Sequence, residues 1–164
     1  ADPGDTFPIA STSTSTDAST GAALNIQGFT TIPTSIGYTS SNKSIYIADW
    51  AAAGRAWLLS FTPKASIASG KTLSITFDGW GSNTAPKDMV VEFSKNGTDW
   101  TQMGEAVVYA STNPATFTRT LTLTESLSGG LQIRIKANGL VSIGGAAASS
   151  GGNSRLANVT ISVN

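Results

Sequence analysis

The sequence contains no cysteine and no histidine among its 164 residues. Their absence removes thiolate nucleophiles, imidazole bases, thiolate zinc sites and the commonest ligand for transition metals. Hard cations held by oxygen atoms remain open, and no other cofactor is expected. Charge is scarce as well. Ten Lys and Arg balance ten Asp and Glu, and 12% of residues are charged, which leaves no single-sign field to hold nucleic acid or an anionic surface. No apolar run approaches the roughly 18 residues needed to span a bilayer, so neither nucleic-acid binding nor membrane insertion is expected.

What is abundant is Ser, Thr, Gly and Ala, a composition that suits a secreted or cell-surface protein. The lack of cysteine does not oppose export, since a core of this size can stand without disulfides. An exported form is expected to have lost its signal, and Ala1–Asp5 reads either as a mature terminus or as an appended tag. Ser11 to Thr20 reads STSTSTDAST, a polar tract that buries nothing. A flexible segment or linker is therefore expected over residues 1–21 and a compact domain over 22–164.

Sustained i, i+3, i+4 apolar spacing is missing throughout, whereas period-2 alternation is dense. Trp57, Leu59 and Phe61 oppose Leu58, Ser60 and Thr62; Leu73, Ile75 and Phe77 oppose Ser74, Thr76, Asp78 and Trp80. Met89, Val91 and Phe93 alternate with Asp88, Val90, Glu92 and Ser94, and Leu131, Ile133 and Ile135 with Gln132, Arg134 and Lys136. Ile45 and Ile47 oppose Tyr46, Ala48 and Trp50. Asn96-Gly97 between two such runs predicts a type I′ hairpin turn, with a strand returning from Trp100 to about Tyr109. About eight strands with one apolar face each, and no helices to cover a parallel sheet, predict an all-β fold: a two-sheet antiparallel β-sandwich of jelly-roll type.

Five segments in order, Ala56-Trp57-Leu58-Leu59-Ser60-Phe61-Thr62-Pro63-Lys64, Leu73 to Asp78, Ser82 to Lys87, Phe93 to Trp100 and Gly152 to Ile161, resemble the jelly-roll accessory domains of large secreted bacterial proteins. Such modules often accompany polysaccharide-degrading enzymes. The resemblance covers about residues 50 to 163 and implies a non-catalytic carbohydrate-binding module, with a polysaccharide or oligosaccharide and neighbouring domains of a longer protein as partners. The alternative it leaves is a structural or adhesive spacer without a small ligand. Relatives of this kind usually carry an Asp after an Ile or Leu in the last strand; here Ala157 stands there, which takes one oxygen ligand from a calcium site of that type.

A sugar ring offers an apolar C–H face, so an exposed Trp or Tyr flanked by hydrogen-bonding groups is the expected platform. Trp80 shares its parity with Thr76 and Asp78 and is flanked by Gly79 and Gly81, which predicts that it lies at the polar face or its rim. The expected carbohydrate-binding set is Trp80, Asp78, Asn83, Lys87, Tyr46 and Trp50. Trp57, Phe61, Phe77 and Phe93 read as core, Trp100 as a plug beside its hairpin. Arg134 and Lys136, on one face with Gln132, read as solvated or edge-protecting groups able to add polar contacts to a glycan. The threonine row Thr116 to Thr124 reads as the exposed side of one strand, too narrow to form the flat array that orders water.

Catalysis has little support. Glycosidic hydrolysis needs two carboxyls roughly 5–10 Å apart across a cleft, and Asp78 and Asp88 read better as surface or turn groups. No G-x-S-x-G elbow occurs, and no His is present to activate a serine. No catalytic residue is assigned.

Overall fold

A computed structural model describes residues 9–10, 19–30, 36–39, 41, 43–111 and 113–164. The strands are β1 (Ile9–Ala10), β2 (Ser19–Gln27), β3 (Ile36–Thr39), β4 (Ser44–Ile47), β5 (Ala56–Pro63) and β6 (Thr72–Gly81). They continue as β7 (Asp88–Ser94), β8 (Thr101–Gln102), β9 (Val107–Val108), β10 (Ala115–Thr122), β11 (Leu131–Ala137) and β12 (Ser154–Val163). One sheet of seven strands runs β1-β2-β5-β11-β7-β8, with β9 also on β7; the other, of five, runs β10-β6-β12-β4-β3. Every strand pairing is antiparallel, and among the described residues there is no helix. The all-β, two-sheet expectation holds.

The inner faces follow the alternation. Trp57, Leu59 and Phe61 of β5, Leu131, Ile133 and Ile135 of β11, and Met89, Val91 and Phe93 of β7 form one half of the core. Leu73, Ile75 and Phe77 of β6, Ile45 and Ile47 of β4, and Leu156 of β12 form the other. Because burying a large side chain contributes about 1.5–3 kcal/mol each, these positions hold the sheets together. The indole of Trp57 crosses between sheets and donates to Ser154 Oγ at 3.1 Å, so its buried N–H is satisfied. Tyr109 stacks on Phe117 and lies against Gly79, where no side chain could fit. Its hydroxyl finds no hydrogen-bond partner among the described residues, and burial pushes its phenol well above the usual range.

Pairing reaches back to Ile9, and residue 22 falls inside β2; residues 11–18 lie outside the described residues. Two local expectations are corrected. At the Asn-Gly turn only Gly97 takes positive φ (78°), and the connection from Ser94 to Thr101 is longer than a two-residue hairpin. Asn96 Oδ1 accepts from the backbone N–H of Thr98 and Asp99, and Ser94 Oγ accepts from that of Gly97, so side-chain acceptors close the turn where two left-handed residues were expected. The return strand is also broken, into β8 and β9 around Gly104 at φ 67°.

The 144–152 segment is tied to neighbouring loops by backbone hydrogen bonds. Gly144 N donates to Asn83 O, Ser149 N to Thr84 O, and Asp49 N to Ser150 O. On the edge strand β10, Arg119 shares the parity of Phe117 and Leu121 and donates to the carbonyls of Glu105, Ala106 and Thr118. An inward charge at a sheet edge discourages further strand addition.

Candidate functional site

The six residues expected to form a site do not converge on an open aromatic surface. Trp80 keeps its parity but is only 3% exposed, which overturns the expected rim position. β6 is flanked on both sides at that point: Arg155 of β12 is its register partner, and Gly81 N donates to Ala110 O while pairing with Ser111. Trp50 is 0% exposed and packs on Trp57 and Phe29. Asp49 takes φ 67° just after β4, which ends the period-2 pattern and sends Trp50 to the inside. The indole N–H is used within the turn, on Ile47 O at 3.0 Å.

Tyr46 is half-buried, its ring against Gly37 and under the Arg155 guanidinium at 5.0 Å from the ring centroid. Each carboxylate oxygen of Asp78 accepts one bond, from Thr116 Oγ1 at 2.5 Å and from Asn158 Nδ2 at 2.6 Å. Asn83 and Lys87 are exposed on the connection after β6. The threonine row is wider than one strand. Thr118, Thr76 and Thr160 lie in register across β10, β6 and β12, as do Thr120, Ser74 and Ser162, so this outer face is a sheet of short hydroxyls, with Thr76 and Thr118 bonded at 2.9 Å.

The outer face of the seven-stranded sheet differs in kind. The registers place three rows across its strands: Ala23, Ser60, Gln132 and Ser94; then Asn25, Leu58, Arg134, Glu92 and Gln102; then Gln27, Ala56, Lys136 and Val90. At about 4.8 Å between strands, the middle row of five extends about 19 Å. The middle row brings Arg134, Glu92 and Gln102 together on adjacent strands, and the rows to either side set one or two long polar groups among Ala, Ser and Val.

Charge is concentrated in the centre of that face. Arg134 Nε donates to Glu92 Oε2 at 2.5 Å and Lys136 Nζ to Glu92 Oε1 at 3.1 Å. The side chains of Glu92, Arg134 and Lys136 are 14%, 15% and 25% exposed, so solvent reaches them only in part. Arg134 Nη1 also donates to Gln27 Oε1 at 3.3 Å, and its guanidinium carbon lies 3.9 Å from the ring centroid of half-buried Trp100. A planar cation on an indole face is a favourable electrostatic contact. Beyond Gln132 and Ser60 the face opens into a shallow pocket of about 400 Å³ lined also by Gly21, Thr62, Asn96 and Gly97. Gly97 lets Gln132 Oε1 approach to 3.0 Å of where a Cβ would stand.

Sequence reasoning ranked Trp100, Arg134, Lys136 and Gln132 below the Trp80 set. The signal available was the shared parity of Gln132, Arg134 and Lys136; their meeting with Glu92 and Gln27 depends on strands far apart in the chain. Among the described residues no group of three or more His, Cys, Asp or Glu side chains gathers to hold a metal.

No family model and no curated protein matches the chain. Its fold does match solved structures. A family 4 carbohydrate-binding module is similar with a TM-score of 0.59 at 18% identity, over 87% of each chain. The N-terminal cellulose-binding domain of β-1,4-glucanase C from Cellulomonas fimi gives 0.54 at 14% identity, covering 88% of this chain and 89% of that one. The CBM22-1 xylan-binding domain of Xyn10C from Paenibacillus barcinonensis gives 0.50 at 11%, over 88% and 82%. The fold is thus the β-sandwich built by carbohydrate-binding modules, as the resemblance implied.

Proposed function

We propose that this chain is a non-catalytic carbohydrate-binding module of a secreted or surface protein, and that polysaccharide lies along the outer face of the seven-stranded sheet. The observation that carries the reading is the set of three registered rows of amide and charged side chains beside Trp100 and a shallow pocket. Amide groups supply both donors and acceptors, the pairing that vicinal sugar hydroxyls require. Arg134 and Glu92 are already held by Gln27, Trp100 and Lys136, so ordering them costs little on binding. Trp100 offers apolar area beside the polar rows. An open face of this kind suits a polymer passing through better than a small ligand enclosed. Neighbouring domains of a longer protein are the expected partners, the module keeping them near their substrate.

Affinity electrophoresis in gels containing soluble polysaccharides tests this. Retardation in at least one polymer is expected for the native protein, with loss in a Trp100→Ala, Gln132→Ala double variant. Absence of retardation in any polymer of a broad panel, or retardation unchanged by that variant, sinks the reading. Release of reducing sugar by the purified domain would end the non-catalytic assignment.

A further inference from the structure

We propose that the shallow pocket beside Gln132 is a side subsite that takes one neutral sugar unit branching from a polysaccharide backbone; this rests on the reading of the outer face as a glycan site. Unfilled hydrogen bonds carry it. In the middle of the face Arg134, Lys136, Glu92 and Gln27 are already bonded to one another. Around the pocket the side chains of Ser60, Thr62 and Gln132 are half-buried and have no hydrogen-bond partner among the described residues. Two hydroxyls and an amide offer both donors and acceptors on uncharged groups, which is what the hydroxyls of a sugar ring require. The one charged residue among those described at the pocket, Lys95, is held by Glu125 at 2.5 Å.

Backbone builds the walls. On one side the register of β2 against β5 shifts between Thr20 and Ala23, and Gly21 in that irregularity takes φ 61°; a bulge bends its strand locally. On another stands the connection from Ser94 to Thr101, with Gly97 at φ 78°, and Gly130 lines the pocket just before β11. A Cβ on Gly21 or Gly130 would meet nothing within 4 Å, so the space is open and not filled by packing from neighbours. At about 400 Å³ it lies near the lower end of the range for ligand sites, the size for a single unit and not for a run of them. Its position decides between branch and backbone. The row of Ser60 and Gln132 lies two residues along the strands from the middle row, about 7 Å, whereas the middle row extends about 19 Å across five strands. A chain lying across the strands on the middle row passes the pocket on its flank, and only a group projecting sideways reaches in.

The test is calorimetric titration of matched pairs of soluble oligosaccharides, each branched one against its linear backbone: xylosyl-substituted and plain β-1,4-gluco-oligosaccharide, galactosyl-substituted and plain manno-oligosaccharide, arabinosyl-substituted and plain xylo-oligosaccharide. In at least one pair the branched member is expected to bind about tenfold tighter, the scale of one or two neutral hydrogen bonds. Gly130 lies outside the left-handed region, so a side chain can be added there. Gly130→Ala should narrow the ratio and Gly130→Leu should bring it to about one, with binding of the linear member and urea unfolding unchanged. Thr62→Val, which keeps the shape and removes a free hydroxyl, should lower the ratio as well. Equal binding within every pair, with Trp100→Ala weakening both members, overturns the branch subsite and leaves the glycan face standing. A preference that survives both Gly130→Leu and Thr62→Val places the branch elsewhere and overturns it too. If Gly130→Leu weakens the linear member as much as the branched one, the pocket holds a backbone or terminal unit and the assignment falls, whereas failure of every oligosaccharide to bind, with no retardation in any polymer, sinks the face itself.

Discussion

The two outer faces of this sandwich are made by the same alternation and yet differ in chemistry. On the five-stranded sheet the outward residues are mostly Thr and Ser, short groups that bond to one another, as Thr76 to Thr118, or close off a carboxylate, as Thr116 and Asn158 do for Asp78. On the seven-stranded sheet Asn, Gln, Arg, Lys and Glu stand among Ala, Ser, Leu and Val, and Arg134 and Glu92 each reach two neighbours. The aromatics follow the same division. On the first sheet Trp80 is buried and Tyr46 lies under Arg155, whereas Trp100 stays half-exposed beside Arg134. The two faces thus share polarity and differ in the length of the side chains that carry it.

The sharpest way to break that contrast is Glu92→Gln. It leaves Arg134 and Lys136 facing each other in a setting only partly open to water, so a stability loss of about 2 kcal/mol is expected, between the values for exposed and buried pairs. Urea unfolding measures it, and a loss below about 0.5 kcal/mol would mean that the triad does not organise the face. Next in size, Trp100→Ala should weaken polysaccharide binding about tenfold, or about 1.4 kcal/mol, read by gel retardation. Equal weakening by Tyr46→Ala would move the site to the other sheet. On that sheet Asp78→Asn should cost about 1 kcal/mol, because the charge-assisted bonds from Thr116 Oγ1 and Asn158 Nδ2 become neutral ones; unchanged urea unfolding would show those bonds to be idle.

Much of the fold was legible because parity is a local property. Inward placement of Trp57, Leu59 and Phe61, or of Leu73, Ile75 and Phe77, needs nothing beyond the pleat of one strand. Where a single residue leaves the β region, parity stops carrying: Asp49 at positive φ turns Trp50 inward. Trp80 failed for another reason, since its parity held but its exposure depends on Arg155 and the 110–111 segment, distant in sequence. β2 carries a period-2 signal in Leu24 and Ile26 against Asn25 and Gln27, directly after a low-complexity tract. The site itself was the least legible part. Arg134, Glu92 and Gln27 become neighbours only through the order β2-β5-β11-β7, and no local pattern encodes that order.

The smallest expected effect tests the passive side of the contrast. Thr118→Val removes one hydroxyl from the register row Thr118, Thr76, Thr160 and keeps the volume and β-branching of the side chain. The lost bond to Thr76 is exposed, so water replaces it, and Val fits a pleated strand at least as well as Thr. Stability should change by less than about 0.5 kcal/mol in either direction, with polysaccharide retardation unaltered. A double change, Thr118→Val with Thr120→Val, should remain within about 1 kcal/mol, since the two positions have different register partners, Thr76 and Ser74, and the effects then add. A larger loss of stability would show that the hydroxyl rows act as a cooperative network. A loss of glycan retardation would show that a ligand lies on them, and the distinction between the two faces would fail at the point where it is simplest to measure.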